Sequence, residues 1–266
     1  MPKTTGGNRY ERLVEKIFFD RWQVGLKDFG FEREDLESAA AELSIRLPKN
    51  LGDVIYSTRY RTDLPESIRK TADAGLHWVI APAGRAKYRF VQTVVNRIIP
   101  RTDLVAIKVP DATPEIIARY ALGDEQALLA KVRYNRLIDI FLGITTYSLQ
   151  NHLRTTVKGM GQLEVDEIYV GINRNGAQFA VPVQAKGGRD KHGPTQTQQD
   201  VAACKRHFPD LVCRPVSAQF MPNNVIALFE LALVDGEVRV VEERHYRLVD
   251  ADKISGEELR SYQTRT

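Results

Sequence analysis

Two stretches decide how this chain is read: VDEIYVG at residues 165–171 and VPVQAKGG at residues 181–188. Both have the apolar content and spacing of strands, in which side chains two apart stand on one side of the sheet. Glu164 and Asp166 then share a face of the first strand, and Gln184 and Lys186 share a face of the second. NRNG at 173–176 supplies a turn between them, so the pair reads as a hairpin. Pairing brings two carboxylates, one amide oxygen and one ammonium into a single cluster.

That inventory suits a particular chemistry. Magnesium takes hard oxygen ligands and keeps several of its waters. Asp166 and the side-chain oxygen of Gln184, with the backbone carbonyl of Ala185, form a candidate ligand set. A metal-bound water is more easily deprotonated, and Lys186 would orient it and offset charge on a phosphate. Gly187 and Gly188 follow the lysine and let backbone approach a phosphate closely. The cluster therefore points to metal-assisted hydrolysis of a phosphodiester. The competing reading is that these are charged strand ends in solvent. Pro182 marks the second strand as a bulge or an edge.

Outward from the hairpin, the apolar spacing predicts one long helix over 124–153, with Leu128, Leu129, Val132, Leu137, Ile140, Phe141 and Leu149 on its apolar positions. A short strand is expected at 155–158, then strands at 163–171 and 178–186, a helix at 195–207 and a strand at 211–219. A last hairpin, 224–234 with 238–248, turns at Asp235-Gly236. The order from 124 to 219 is helix, three strands, helix, strand.

This order and these residues resemble the PD-(D/E)XK nuclease superfamily, which includes most type II restriction endonucleases. The resemblance spans roughly 100 residues and implies an αβββαβ core in a mixed α/β chain. Its motif is an acid on one strand and (Asp/Glu)-x-Lys on the next. Asp166 matches the first position and Gln184-Ala185-Lys186 the second, with Gln in place of the usual acid. Glu164 is the nearest group to restore the missing charge. The superfamily often adds an acid from the preceding helix, for which Glu125 and Asp139 are the candidates. The implied catalytic set is Asp166, Gln184, Lys186 and Glu164, with Mg2+ as cofactor and double-stranded DNA as substrate. Cutting both strands implies a homodimer.

Residues 1–100 read differently. Four helices are expected, near 8–27, after Glu34, over 51–61 and from Pro65, followed by a hairpin of LHWVIAPAG and AKYRFVQTVV. Helices followed by a hairpin are the order of a winged helix-turn-helix. This divides the chain into a winged-helix-like DNA-recognition domain, 1–100, and a nuclease domain, 101–266. Residues 51–101 carry nine basic against four acidic side chains, whereas the whole chain has a net charge of only +4. Arg59, Arg61, Arg85, Lys87 and Arg89 are the candidate DNA-binding residues there, joined by Arg189 and Lys191 in the loop after the catalytic lysine. A solvated basic face laced with ion pairs is the alternative.

Two other functions compete. VEVDEIYVG also resembles the first acidic motif of DDE-type transposases, but neither Asp200 nor Glu230 sits in a matching second motif. A non-catalytic DNA-binding regulator would use the basic region and leave Asp166 and Lys186 without a role. No apolar run is long enough for a membrane span and no signal peptide is recognised, so a cytoplasmic protein without membrane contact is expected. Two cysteines, Cys204 and Cys213, fit a reduced setting.

Overall fold

The computed structural model describes residues 8–95, 97–120, 125–187 and 190–263. Among these it is a mixed α/β chain with two sheets and nine α-helices.

The first group of elements runs α1 (Arg9–Arg21), β1 (Asp28–Glu32), α2 (Arg33–Glu42), α3 (Gly52–Tyr60), α4 (Glu66–Arg69), β2 (His77–Gly84) and β3 (Lys87–Thr93). Asn8 starts α1 by accepting the Tyr10 N–H, while Glu11 accepts the Asn8 N–H in return. Leu13, Val14, Ile17 and Phe18 fall on one face and are buried. Phe18 packs edge-on against Phe29, Trp78 and Phe90, so α1 is fixed on a three-stranded antiparallel sheet of order β1-β3-β2. The hairpin was expected; β1 was not. It has five residues with a glycine inside, too short for alternation to stand out.

The second group is β4 (Ile107–Pro110), α5 (Glu115–Tyr120), α6 (Glu125–Tyr134), α7 (Leu137–Leu142), β5 (Thr145–Val157), β6 (Gly161–Ile172), β7 (Gln178–Lys186), α8 (Pro194–His207), β8 (Val212–Cys213), β9 (Val216–Met221), β10 (Val225–Val234), β11 (Glu237–Val249) and α9 (Gly256–Gln263). Its sheet has the order β4-β11-β10-β9-β7-β6-β5, with β8 beside β7. β5, β6 and β7 form an antiparallel meander, and β9 then lies parallel to β7. The apolar core between this sheet and α6–α7 includes Leu128, Leu129, Val132, Tyr169, Val181 and Val183. α8 lies across the other face. The core of the first group is a separate apolar cluster.

The long helix expected over 124–153 is not formed; Asp124 itself lies outside the described residues. Arg136 takes a left-handed φ of 49° between α6 and α7, and Gly143 at φ 65° closes α7. From Thr145 the chain is a strand paired with β6 over its whole length. The helical spacing of 128–141 is real. Beyond Gly143, Thr145, Thr146, Tyr147, Thr155, Thr156 and Val157 favour a pleated strand. Leu149, placed on the helix's apolar stripe, is 52% exposed on this strand.

Pro182 has a clear place. β7 pairs with β8 at Phe179 and Ala180 and with β9 from Val183 onward, so residues 181 and 182 fall between the two partners. The missing N–H of proline lies at that junction. The final hairpin turns where expected, with Asp235 and Gly236 both at positive φ.

Gly171 on β6 is a close approach. A Cβ there would stand 2.9 Å from Thr146 Cγ2 and 3.0 Å from the Thr145 carbonyl oxygen. Gly171→Ala is expected to destabilise the chain by about 1–3 kcal/mol, read as a lower urea midpoint. An unchanged midpoint would mean that β5 gives way without cost.

Candidate active site

The pairing of β6 with β7 runs back from Ile172 to Glu167, which faces Val183, and stops there; β6 continues along β5 to Gly161. Asp166 stands where the strands part. Its Oδ2 accepts the Ala185 N–H at 2.9 Å, and Lys186 Nζ lies 3.8 Å from the same oxygen. The second distance is an electrostatic contact and not a hydrogen bond. Burial pushes the Asp166 carboxyl above its ordinary value, with Lys186 and the Ala185 N–H opposing.

Alternation sends the neighbouring carboxylate to the opposite side of the sheet. Glu167 is fully buried, accepts from Arg133 Nε of α6 at 2.8 Å and is also bonded by the Ser148 hydroxyl. Of the two acids in VDEIYVG, Asp166 alone reaches the Gln184–Lys186 face.

Gln184 is 2% exposed. Its Nε2 donates to Asp200 Oδ1 of α8 at 2.9 Å and to the Glu164 carbonyl at 3.2 Å. These bonds leave its Oε1 with Gln196 Nε2 at 3.5 Å. Asp200 therefore sets which way the amide points. The sequence leaves Gln196, Gln199 and Asp200 with two readings, support for the site or a solvent-facing side of the helix. It does not show which face is buried, because α8 buries Thr195, Thr197 and Asp200 beside Val201, Ala203 and Cys204.

Asp200 is 1% exposed and its Oδ2 has no partner. Burial raises its carboxyl to about 8, against the opposing Gln184 amide. The folded value lies above the unfolded one near ~3.9, so the proton is held more tightly by the native chain. The stabilisation is complete below the unfolded value and is lost as pH rises through about 8. Asp200→Asn should remove that slope and be the more stable form above pH 8, by an amount on the order of a few kcal/mol. Urea unfolding at several pH values between 4 and 9 checks this; parallel profiles for the two proteins would contradict it.

The other candidates separate. Glu164 lines the same cavity, but His152 Nδ1 and Arg154 Nε take its two oxygens at 2.8 and 2.9 Å. Burial alone would raise its carboxyl; Arg154 and His152 together hold it below its ordinary value. Glu125 begins α6 and accepts the Gly187 N–H at 3.3 Å, next to Lys186. Asp139 is engaged with Arg136 and Thr146, away from that segment. His192 is buried, bonds the Thr197 hydroxyl at 2.8 Å and is held to about 3 by burial and then Lys186, so its ring is neutral.

Arg61 is ion-paired with Asp190, Lys87 with Glu32 and Arg89 with Asp28. Exposed pairs of this kind are weak and exchange readily for phosphate. Arg85 and Lys191 are exposed. Arg189 lies outside the described residues. Arg59 is half-buried. Its Nε donates to the Ile80 carbonyl at 2.8 Å and its guanidinium lies over the Tyr88 ring.

A cavity of about 480 Å3 joins these parts. Asp166, Gln184 and Lys186 form one wall, and Tyr56, Arg59 and Tyr60 of α3 form the facing one. The two sides are tied together by the Tyr56 hydroxyl and Arg61 on Asp190, and by the Lys191 N–H on the Tyr60 carbonyl. The Arg97 guanidinium adds bonds to the carbonyls of Thr58, Arg59 and Thr62. Reading the sequence as two independent domains gave no reason to place α3 at the Asp166–Lys186 cluster.

Among the described residues, no three His, Cys, Asp or Glu side chains gather as a metal-binding group. The donor set for an ion is instead one carboxylate, Asp166, and one amide oxygen, Gln184 Oε1. Magnesium is commonly held by one or two carboxylates and retains its waters, so these residues fit it chemically. No described helix is long and apolar enough to cross a membrane. No family model, curated protein or solved structure matches the chain.

Proposed function

We propose that the chain is a magnesium-dependent DNA endonuclease of the restriction type, built on a PD-(D/E)XK-like core. The observation that carries this reading is Asp166 beside Lys186 at the parting of two strands, with Gln184 Oε1 on the same face. The element order supports it. α6–α7, β5, β6, β7, α8 and β9 run in the αβββαβ order, with the meander antiparallel and β9 parallel to β7. The first group supports a winged-helix-like recognition module, since a helix, a strand, further helices and a hairpin close into a β1-β3-β2 sheet.

Asp166 and Gln184 Oε1 are the groups that would hold magnesium, which when bound lowers the pKa of its water and offsets phosphate charge. Lys186 positions the phosphate and balances charge developing on it. In the reaction the water oxygen bonds to phosphorus as the bond to the leaving strand oxygen breaks. The water gives up one proton and the leaving oxygen takes one. Asp200 holds the Gln184 amide so that its oxygen, not its nitrogen, faces this chemistry. Paired cuts require two such sites, hence a homodimer acting in the cytoplasm on double-stranded DNA.

Incubation of the protein with plasmid and magnesium tests the reading. Discrete fragments that vanish with EDTA are expected. DNA that is shifted in a gel but left intact would make the chain a regulator. In the same gels, Arg85→Ala should weaken binding and reduce its salt slope by about one; an unchanged slope removes the β2–β3 turn from the interface.

A further inference from the structure

Among the described residues, the half-buried Arg59 guanidinium is the cation on the cavity wall that faces Asp166 and Lys186. It is held on two sides, by the Ile80 carbonyl and the Tyr88 ring. Its Nη2 is sealed from solvent and has no hydrogen-bond acceptor. No described carboxylate is ion-paired with it, and the Tyr60 hydroxyl beside it carries no charge, since burial raises its pKa. Burial lowers the Arg59 pKa, with Tyr60 and Tyr88 opposing it. An oxyanion in the cavity would offset the guanidinium's charge.

The other charges of the cavity agree. Lys186 has Asp166 at 3.8 Å as its ion-pair partner. Glu164 is paired with Arg154 and His152. With Lys186 on Asp166, Arg59 is the cation of the cavity lining left without a carboxylate. The volume of about 480 Å3 suits a ligand of small-molecule size, such as one nucleotide.

We infer that Arg59 is a phosphate-binding residue of the hydrolytic site, and that the cavity takes one phosphate group of a nucleic acid strand between Arg59 and Lys186. This rests on the nuclease reading for its reaction, but not for its ligand. The first group of elements then supplies part of the active site as well as any recognition surface. Arginine suits the position because its planar fork can hold the Ile80 carbonyl through Nε and still present Nη1 to a phosphate.

Two measurements test it. The first compares wild type, Arg59→Ala and Arg59→Lys in single-turnover cleavage at saturating DNA, with affinity measured separately. Arg59→Ala should cut about 100-fold more slowly or worse, with DNA affinity within about threefold of wild type, since one contact among many sets little of it. Arg59→Lys should recover part of the rate. Wild-type cleavage by Arg59→Ala, or a loss confined to affinity, overturns the inference while leaving the nuclease reading intact. The second measurement needs no cleavage and no intact Ala variant. Inorganic phosphate should raise the melting temperature of wild type, raise that of Arg59→Lys less, and leave that of Lys186→Ala unchanged. No shift in wild type, or an equal shift in all three, overturns the inference. If plasmid is never cut but the phosphate shift depends on Arg59, the ligand assignment stands and the nuclease reading fails.

Discussion

Lys186→Ala is expected to lower the cleavage rate at saturating DNA by about a thousandfold or more, with the fold and the affinity for DNA retained. The lysine side chain is nearly buried, so its loss removes charge from a place where water replaces it poorly. It makes no backbone hydrogen bond that the sheet needs, and β7 ends at it. Asp166→Ala should fall as far, by removing the carboxylate that faces Lys186 and the acceptor of the Ala185 N–H. Single-turnover kinetics with circular dichroism of each variant separate loss of chemistry from loss of fold. Full turnover by folded Lys186→Ala would remove this cluster from the reaction.

The largest effect on stability is expected on the opposite face of β6. Arg133→Ala leaves Glu167 fully buried with the Ser148 hydroxyl as its remaining side-chain partner. Breaking a buried pair from one side costs about 3–5 kcal/mol, because the remaining charge is uncompensated. Replacing both partners is expected to be milder, so Arg133→Leu with Glu167→Leu should recover much of the loss. Urea unfolding of the single and double variants measures this. A loss below about 1 kcal/mol in Arg133→Ala would mean that Glu167 is as tolerant as an exposed group.

These two expectations divide the pair of acids at 166 and 167, and the sequence already permitted that division. Alternation along β6 places them on opposite faces, and alternation along β7 aligns Gln184 with Lys186. The strands of the site were legible for this reason: period-two patterning is local. The helix of 124–153 was misread because the apolar spacing stays compatible with a helix past Gly143, while β5 is decided by pairing with β6. β1 was missed for the same kind of reason, since five residues gain strand character only from β3.

The site's polar support was less legible. Asp200 and Gln196 come from a helix whose buried side mixes Thr195, Thr197 and Asp200 with Val201, Ala203 and Cys204, so no continuous apolar stripe announces it. Arg59 looked like one of many surface arginines in a basic segment. Its burial depends on how α3 meets the sheet through Asp190 and Arg97, contacts separated by about 130 and 40 residues in the chain. Gln184 is the converse case. At its position an acid was expected, and its side chain instead joins a buried carboxylate to the cavity.

Sequencing the ends of a known genome after digestion by wild type and by Asp166→Ala, both with magnesium and at equal DNA occupancy, tests the central claim most directly. Breaks that recur at one sequence in wild type and are missing with Asp166→Ala are the result predicted for a hydrolytic centre at Asp166 and Lys186. An intact genome with wild type, or the same breaks with both proteins, would contradict it.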